Sequence, residues 1–448
     1  GRLGGPNPWP ERLGAVLLIA TILFMLIGPN PYQHEHSVNL ATGGSTLSPV
    51  YRYAWFALTG LAIGLIWQKR DETRAFLLCS WPYLLLLVWF VTTTSWALDP
   101  VSSHRRVILL ICQSAVCAAI CLQLQGPGAM HRALAISSAI IVLIDLGSWI
   151  FLPRLSQTEI GLAAIHNHKN SLGLAMMFSV FACTTYLFSQ KTWPRRAFWL
   201  FILAAAVALL VASKSKTSMA ITAAALLITP LILLMVSRRT VTLVGVAVAL
   251  LALGAIAVLG WLCQCYVNGR DPLWPIRGLT FTQRTDVWQF VLQQAELRFW
   301  RGAGFSSFWD IDPMVQPSLK TDYWFAQPNS PTNESHNGYL DLWVTTGMIG
   351  LVGGLMVLFR WIGRGLLLLH RAFSGHGEAA RTLRPYLTFL TLFPVLICLH
   401  NTMESSYFST TSLFGLMAVL TGLEIDLRYP RRVPAPRPRL ALERASAA

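Results

Sequence analysis

The sequence predicts an all-α polytopic membrane protein of about twelve spanning helices with one large loop on a single face. Three observations predict it. Only 12% of the residues are charged while 54% are hydrophobic, about half the charge of an ordinary soluble domain. Apolar runs of about 17 residues or more recur along the whole chain. The basic residues gather in every second connecting segment, the pattern that membrane insertion imposes.

The runs fall near 13–29, 50–67, 75–91, 107–124, 133–152, 171–189, 197–212, 218–236, 241–263, 338–359, 385–401 and 408–424. The first has only Arg2 and Arg12 ahead of it and no small-residue cleavage site behind it, so it is expected to stay as a span. Segments 68–74, 190–196, 237–240 and 360–384, with the tail "RYPRRVPAPRPR", hold most of the basic excess. The positive-inside rule places these segments and both termini in the cytoplasm. The net charge of +15 is therefore topology, and no nucleic-acid partner is expected. The tail is read as a solvated segment first and as a binder of anionic head groups second. Four units follow: a bundle of about nine spans over 1–263, the loop 264–337, about three spans over 338–424, and the basic tail 425–448.

Six cysteines, Cys79, Cys112, Cys117, Cys121, Cys183 and Cys398, lie in apolar runs and read as small packers. Cys263 and Cys265 form a C-x-C with no second ligand pair nearby, so neither a metal site nor a disulfide framework is expected. Asp145 lies inside the fifth span, where a carboxylate either works or bonds to Ser137, Ser138 or Ser148.

The loop 264–337 is far longer than an ordinary connection and nearly neutral, as a translocated segment can be. Thr282 or Thr285 is placed to cap a helix from about 284 to 299, whose apolar set Val287, Trp288, Val291, Leu292, Ala295 and Phe299 keeps helical spacing. Its aromatics Trp288, Trp300, Trp309, Tyr323 and Trp324 read as packing against the bundle before stacking on sugar rings.

Polar groups gather at the outer ends of the spans. They are Asp99, His104, Arg105 and Arg106 before the fourth, His166, His168, Lys169 and Asn170 before the sixth, and Lys214 and Lys216 after the seventh. Arg284 opens the loop helix, and Glu334, His336 and Asn337 precede the tenth span. Cations on the outside run against the topological bias, and an anionic ligand such as a diphosphate would account for them. Each has a bland alternative: a helix cap, a snorkelling lysine, or a structural ion pair of Asp99 with Arg105 or Arg106.

Four short motifs carry a resemblance. "HNGYLDLWVTTGMIGL" (336–351), "RTDVWQFVLQQAELRFWRGAGFSSF" (284–308), "HKNSLG" (168–173) and "SKSKTS" (213–218) together resemble the O-antigen ligase and polymerase superfamily of membrane glycosyltransferases, including exopolysaccharide polymerisation proteins. The resemblance covers most of the chain and implies a GT-C-like bundle in the bacterial inner membrane. It also implies a donor glycan on undecaprenyl diphosphate, and a glycan or lipid A–core acceptor. A chain-length regulator is a further partner compatible with it. By resemblance Arg284, Lys216 and His336 act together. Lys214, Lys169, Arg105 and Arg106 are further candidates to bind the diphosphate, and Glu334, Asn337, His168 and Asp99 support them. Lys216 stands where the ligases commonly have arginine, and Gln283 replaces a small residue often seen before the loop arginine. The lysine lacks the bidentate fork and inclines the reading toward a polymerase.

The chemistry stands beside the resemblance. An acceptor hydroxyl would displace the lipid diphosphate from the anomeric carbon with inversion. Fixed cations would meet the leaving charge without a metal or cofactor, and a histidine of pKa near 6.5 would activate or position the acceptor. A transporter or flippase of lipid-linked or anionic substrates is the rival, but its ionisable groups would lie near the midplane with internal repeats.

Overall fold

The computed structural model describes residues 9–33, 49–126, 128–237, 264–265, 268, 284–327, 332–375 and 377–430. The chain opens with α1 (Trp9–Ile27), α2 (Pro49–Gln68), α3 (Arg70–Cys79), α4 (Trp81–Thr93), α5 (Pro100–Gln123) and α6 (Ala129–Phe151). A short α7 (Pro153–Ser156) leads into a hairpin of β1 (Gln157–Thr158) and β2 (Gly161–Leu162), antiparallel, with Gln157 opposite Leu162. Then come α8 (Lys169–Leu187), α9 (Trp193–Ala212) and α10 (Lys216–Ser237). The loop helix α11 (Arg284–Leu297), α12 (Gly338–Ser374), α13 (Glu378–His400) and α14 (Leu413–Arg428) complete the described helices.

Nine described helices are long and apolar enough to cross a membrane, or ten if α3 and α4, bent by 80° at Ser80, make one span. The chain is thus all-α and polytopic. The expected ninth span, 241–263, and Cys263 lie outside the described residues. The expected span over 75–91 is broken, because Pro82 occupies the first turn of α4 and starts a new helix there. At the last expected span α14 has 16 residues, fewer than a crossing needs.

A continuous apolar core joins α1, α2, α5, α6, α8, α12, α13 and α14, and the charged groups inside it are paired. Asp426 on α14 is fully buried and receives Arg360 and Arg364 of α12 at 2.8 Å each, with the Trp361 indole at 3.2 Å. Asp145 is bonded not to a neighbouring serine but to His166, at 3.1 Å, while the other ring nitrogen of His166 reaches the Leu26 carbonyl at 2.9 Å. The hairpin loop, α1 and α6 are thereby tied at one point, which is the structural way to keep a carboxylate in a bundle. The seven described cysteines are free thiols.

The loop segment builds a small core of its own. Phe290, Val291, Phe308, Trp309 and Phe325 pack with Val344 of α12, and Tyr323 and Trp324 cover them. The Trp288, Trp309 and Trp324 indoles donate to the Ser335 carbonyl, Asp341 and Asp286, so these rings serve packing and anchoring. Trp300 is the exposed member of the set.

This unit is also seated on α12 through backbone. Helical geometry breaks at Gly347 (φ 72°, ψ 179°). The freed groups are used: Met348 N–H donates to the Phe299 carbonyl and Ala303 N–H to the Val344 carbonyl, both at 2.8 Å. A Cβ on Gly347 would stand 2.1 Å from the Trp300 carbonyl oxygen. Backbone packed this tightly on backbone admits only glycine, with a positive φ besides. Gly347→Ala is therefore expected to cost about 2 kcal/mol or more and to lower the unfolding midpoint in detergent. Gly363→Ala, on the same helix with nothing within 4 Å, is the control. Equal midpoints for the two variants would refute the crossing.

Candidate functional site

The site forms where the start of α12 meets the turn between α13 and α14. Asn337 caps α12, its Oδ1 accepting from the N–H groups of Tyr339 and Leu340 at 3.1 and 3.2 Å. Gly338 N–H lies 3.0 and 3.1 Å from the carbonyls of Asn401 and Glu404. A Cβ at Gly338 would stand 1.9 Å from Asn401 Oδ1, so only glycine lets these two segments touch. His336, just ahead of the cap, takes a left-handed backbone (φ 53°) that few side chains adopt. Such strain is held only where the surroundings over-determine it.

Four charged side chains meet here. His336 Nδ1 lies 2.8 Å from Glu334 Oε1 and 3.1 Å from Glu404 Oε2. The other oxygen of Glu404 takes the Arg284 guanidinium at 3.1 Å, and Arg284 also donates to the Met403 carbonyl. Two cations face two carboxylates, and the cluster is neutral. Burial disfavours the imidazolium, but the hydrogen bonds that His336 donates to Glu334 and Glu404, and their charges, outweigh it and raise His336 to about 9. Burial likewise works to raise Glu404, but His336, Arg284 and His400 outweigh it and hold it low, at about 2. Glu334, without an arginine of its own, is pushed up by burial against the pull of His336.

His336 therefore does not keep the pKa of an ordinary histidine. At neutral pH it is an imidazolium, a donor that can hold and orient, and the candidate proton acceptor passes to Glu334. Among the described residues Glu334, His336 and Glu404 are also the one trio whose donor atoms lie within 4.8 Å, close enough to share a metal ion. A metal would have to displace the proton from His336 and sit beside Arg284, so the existing cations compete with it.

A half-buried carboxylate on α12 holds the segments that carry this cluster. Asp341 accepts from Trp309 Nε1 at 2.8 Å, from Ser335 N–H at 3.1 Å and from the Ser405 hydroxyl. Its partners are the loop core and the residues next to His336 and Glu404.

Two cavities reach the cluster. One, of about 700 Å³, is lined by His166, Asn170, Ser215, Ser218, His400 and Glu404. The other, of about 520 Å³, runs between α2 and α5 to Asp341. Asn333, Glu334, Asp310 and Ser405 line both.

The structure places Arg284, Glu334 and His336 in one cluster with Glu404. Lys214, in the turn before α10, and Lys216, its first residue, are exposed and flank Ser215 on the wall of the larger cavity. Lys169 reaches the Ile160 carbonyl at 3.4 Å. Arg105 is exposed on the smaller cavity.

The rest of the expected site is corrected by what the side chains do. Arg106 gives its guanidinium to the carbonyls of Ser306, Trp309 and Asp310 at 2.5, 2.9 and 2.6 Å, and so clasps the loop instead of offering itself to a ligand. Asp99 forms no ion pair with Arg105 or Arg106; it caps α5 through Ser102 and receives Asp312 N–H. His168 caps α8 by accepting from Asn170 N–H, and Asn337 is the cap described above. Glu404 was missed. Its signal was a lone carboxylate in the polar stretch "HNTMESSYFSTTS" (400–412).

The proton on His336 gives a pH signature. With its pKa raised, its contribution to stability is full below about 6.5 and is lost as the pH rises through about 9. The wild-type unfolding midpoint in detergent is expected to fall between about pH 7 and 10 more steeply than that of His336→Gln. Parallel curves would show that the proton is not held.

Comparison with known proteins bears on the same segment. No curated protein matches the chain. Residues 201–355 match the family model of O-antigen ligase, a span that contains Lys216, Arg284, Glu334 and His336 and stops short of Glu404. That family comprises membrane ligases and polymerases with a glycosyltransferase-like role. The chain is a multi-pass membrane protein, and one part of it, residues 201–355, is similar to the O-antigen ligase family.

Proposed function

We propose that the protein transfers a glycan from an undecaprenyl-diphosphate donor to a sugar hydroxyl, and that it is a polymerase of surface polysaccharide. The cluster would face the periplasm of a bacterial inner membrane, with both termini in the cytoplasm. The observation that carries this reading is the placement of Glu334 on the wall common to two cavities, beside a charge-neutral cluster. A reacting point reached from two sides is what a two-substrate displacement needs.

In this reading the acceptor hydroxyl attacks the anomeric carbon and the bond to the diphosphate oxygen breaks with its electron pair. The hydroxyl proton passes to Glu334, whose raised pKa suits a base. His336 orients Glu334 from 2.8 Å. Arg284, with the exposed Lys214 and Lys216, meets the charge that gathers on the leaving diphosphate. One displacement from the opposite face inverts the anomeric centre.

Lysine at 216 in place of the ligases' arginine supports polymerase over ligase. The second reading, an O-antigen ligase acting on lipid A–core, draws on the description of the matched family itself. The transporter reading is less well supported, because the charged cluster lies at helix ends and Asp145 is engaged by His166.

The test is a reaction of purified protein with a defined lipid-linked repeat, with and without lipid A–core. A product ladder from donor alone is expected, and product only with lipid A–core would make it a ligase. His336→Ala and Glu334→Gln are each expected to lower kcat at least about 100-fold in folded protein. Full activity in either variant would remove that residue from the mechanism. Activity is also expected to survive EDTA, because Arg284 and the His336 proton already neutralise the two carboxylates; a loss restored by magnesium would assign the trio to a metal.

A further inference from the structure

The smaller cavity has a construction that transfer at Glu334 alone does not require. Its walls are α2 and α5, which pack side by side with their first turns at the loop face. Each helix lines it in the same order. On α2, Arg52 stands at the rim with Trp55 and Phe56 a turn deeper. On α5, Arg105 stands at the rim with Ile108, Leu109 and Cys112 deeper. The spacing i, i+4 and i, i+3 puts cation and apolar groups on one face of each helix. Phe56 and Ile108 are 53% and 51% exposed, so the groove is open along its membrane side. Trp55, 1% exposed, lines it with an indole N–H that has no partner among the described residues.

Two guanidiniums above a wall of aromatic and aliphatic side chains match one class of molecule: a lipid with a phosphate head and a long apolar chain. The inner end of the groove carries Asp310, Asp341 and the paired Glu334, and the Arg106 guanidinium there is spent on loop carbonyls, so the cations left for an anion stand at the rim. The head therefore stops at the arginines, and whatever it bears is held toward Glu334. The cations assigned above to the leaving diphosphate, Lys214 and Lys216, flank the other cavity, so this groove belongs to the other substrate.

We propose that the groove between α2 and α5 is the seat of a lipid-anchored acceptor, held by its phosphate head at Arg52 and Arg105 and by its chain along Trp55, Phe56 and Ile108. Both acceptors compatible with the reading above, a polyprenyl-diphosphate-linked repeat and phosphorylated lipid A–core, share this chemistry. The inference rests on that reading for which substrate lies here.

The test is binding, which does not depend on turnover. Native mass spectrometry of the full chain would be run with undecaprenyl diphosphate, with lipid A–core and with phosphatidylglycerol, for wild type, Arg52→Ala/Arg105→Ala and Ile108→Trp. The wild type is expected to retain one of the two phosphate-headed substrates over phosphatidylglycerol. Both variants are expected to weaken that binding about tenfold while keeping the wild-type unfolding midpoint. If undecaprenyl diphosphate is the lipid retained, two copies bind wild type and one binds the variants. Wild-type binding in both variants, or equal retention of phosphatidylglycerol, overturns the proposal. Loss of binding in the groove variants together with full transfer by His336→Ala would leave the groove standing and remove the catalytic reading; the reverse pattern would remove the groove alone.

Discussion

The assembly of the site depends on one half-buried carboxylate. Asp341 accepts from Trp309, Ser335 and Ser405, and each donor belongs to a different segment. Trp309 anchors the loop core, Ser335 precedes His336, and Ser405 follows Glu404. Desolvating a carboxylate costs several kcal/mol, and three donors converging on it are what make the burial tolerable. The same three bonds fix the relative positions of segments that no helix connects. Arg284 and Glu404 can pair across 120 residues of chain because their supporting segments are already aligned.

The cluster that results is neutral, and its neutrality shapes its chemistry. A histidine between two carboxylates cannot serve as a free base at neutral pH, because its proton is part of what holds the carboxylates together. The basicity moves to the carboxylate with the weakest claim on a cation, and that is Glu334, since Glu404 is shared with Arg284. A reading based on the ordinary pKa of histidine overlooks this proton.

Much of the fold was legible in the sequence because a membrane leaves few choices. Apolar runs and the distribution of basic residues led to the spans, and α11 begins at Arg284, inside the stretch whose spacing predicted it. Arg284 and His336 were legible as candidate site residues because motif and charge both marked them, and Glu334 by its charge two residues before His336. Glu404 was not, since its partner His336 lies 68 residues away and nothing local ties the two. Arg106, Asp99, His168 and Asn337 were legible as polar groups at helix ends, but cap and ligand look alike in sequence. The difference is whether a backbone group consumes the side chain, and for Arg106 three loop carbonyls do. The backbone crossing at Gly347 likewise depends on neighbours distant in sequence.

The two cavities differ in a way that follows from the elements around them. The larger lies among helix starts and turns of α8, α10 and α14, where serine, asparagine and histidine cap or bridge backbone, so its polar groups are spread along walls that also carry Met25, Leu26 and Leu413. The smaller lies along the flanks of α2 and α5, so its walls change from guanidinium to hydrocarbon within two turns. A soluble sugar could be recognised by the first kind of wall alone. A groove graded from charge to hydrocarbon, open toward the membrane and ending at Glu334, adds recognition that is useful only if a substrate keeps its lipid anchor while it reacts.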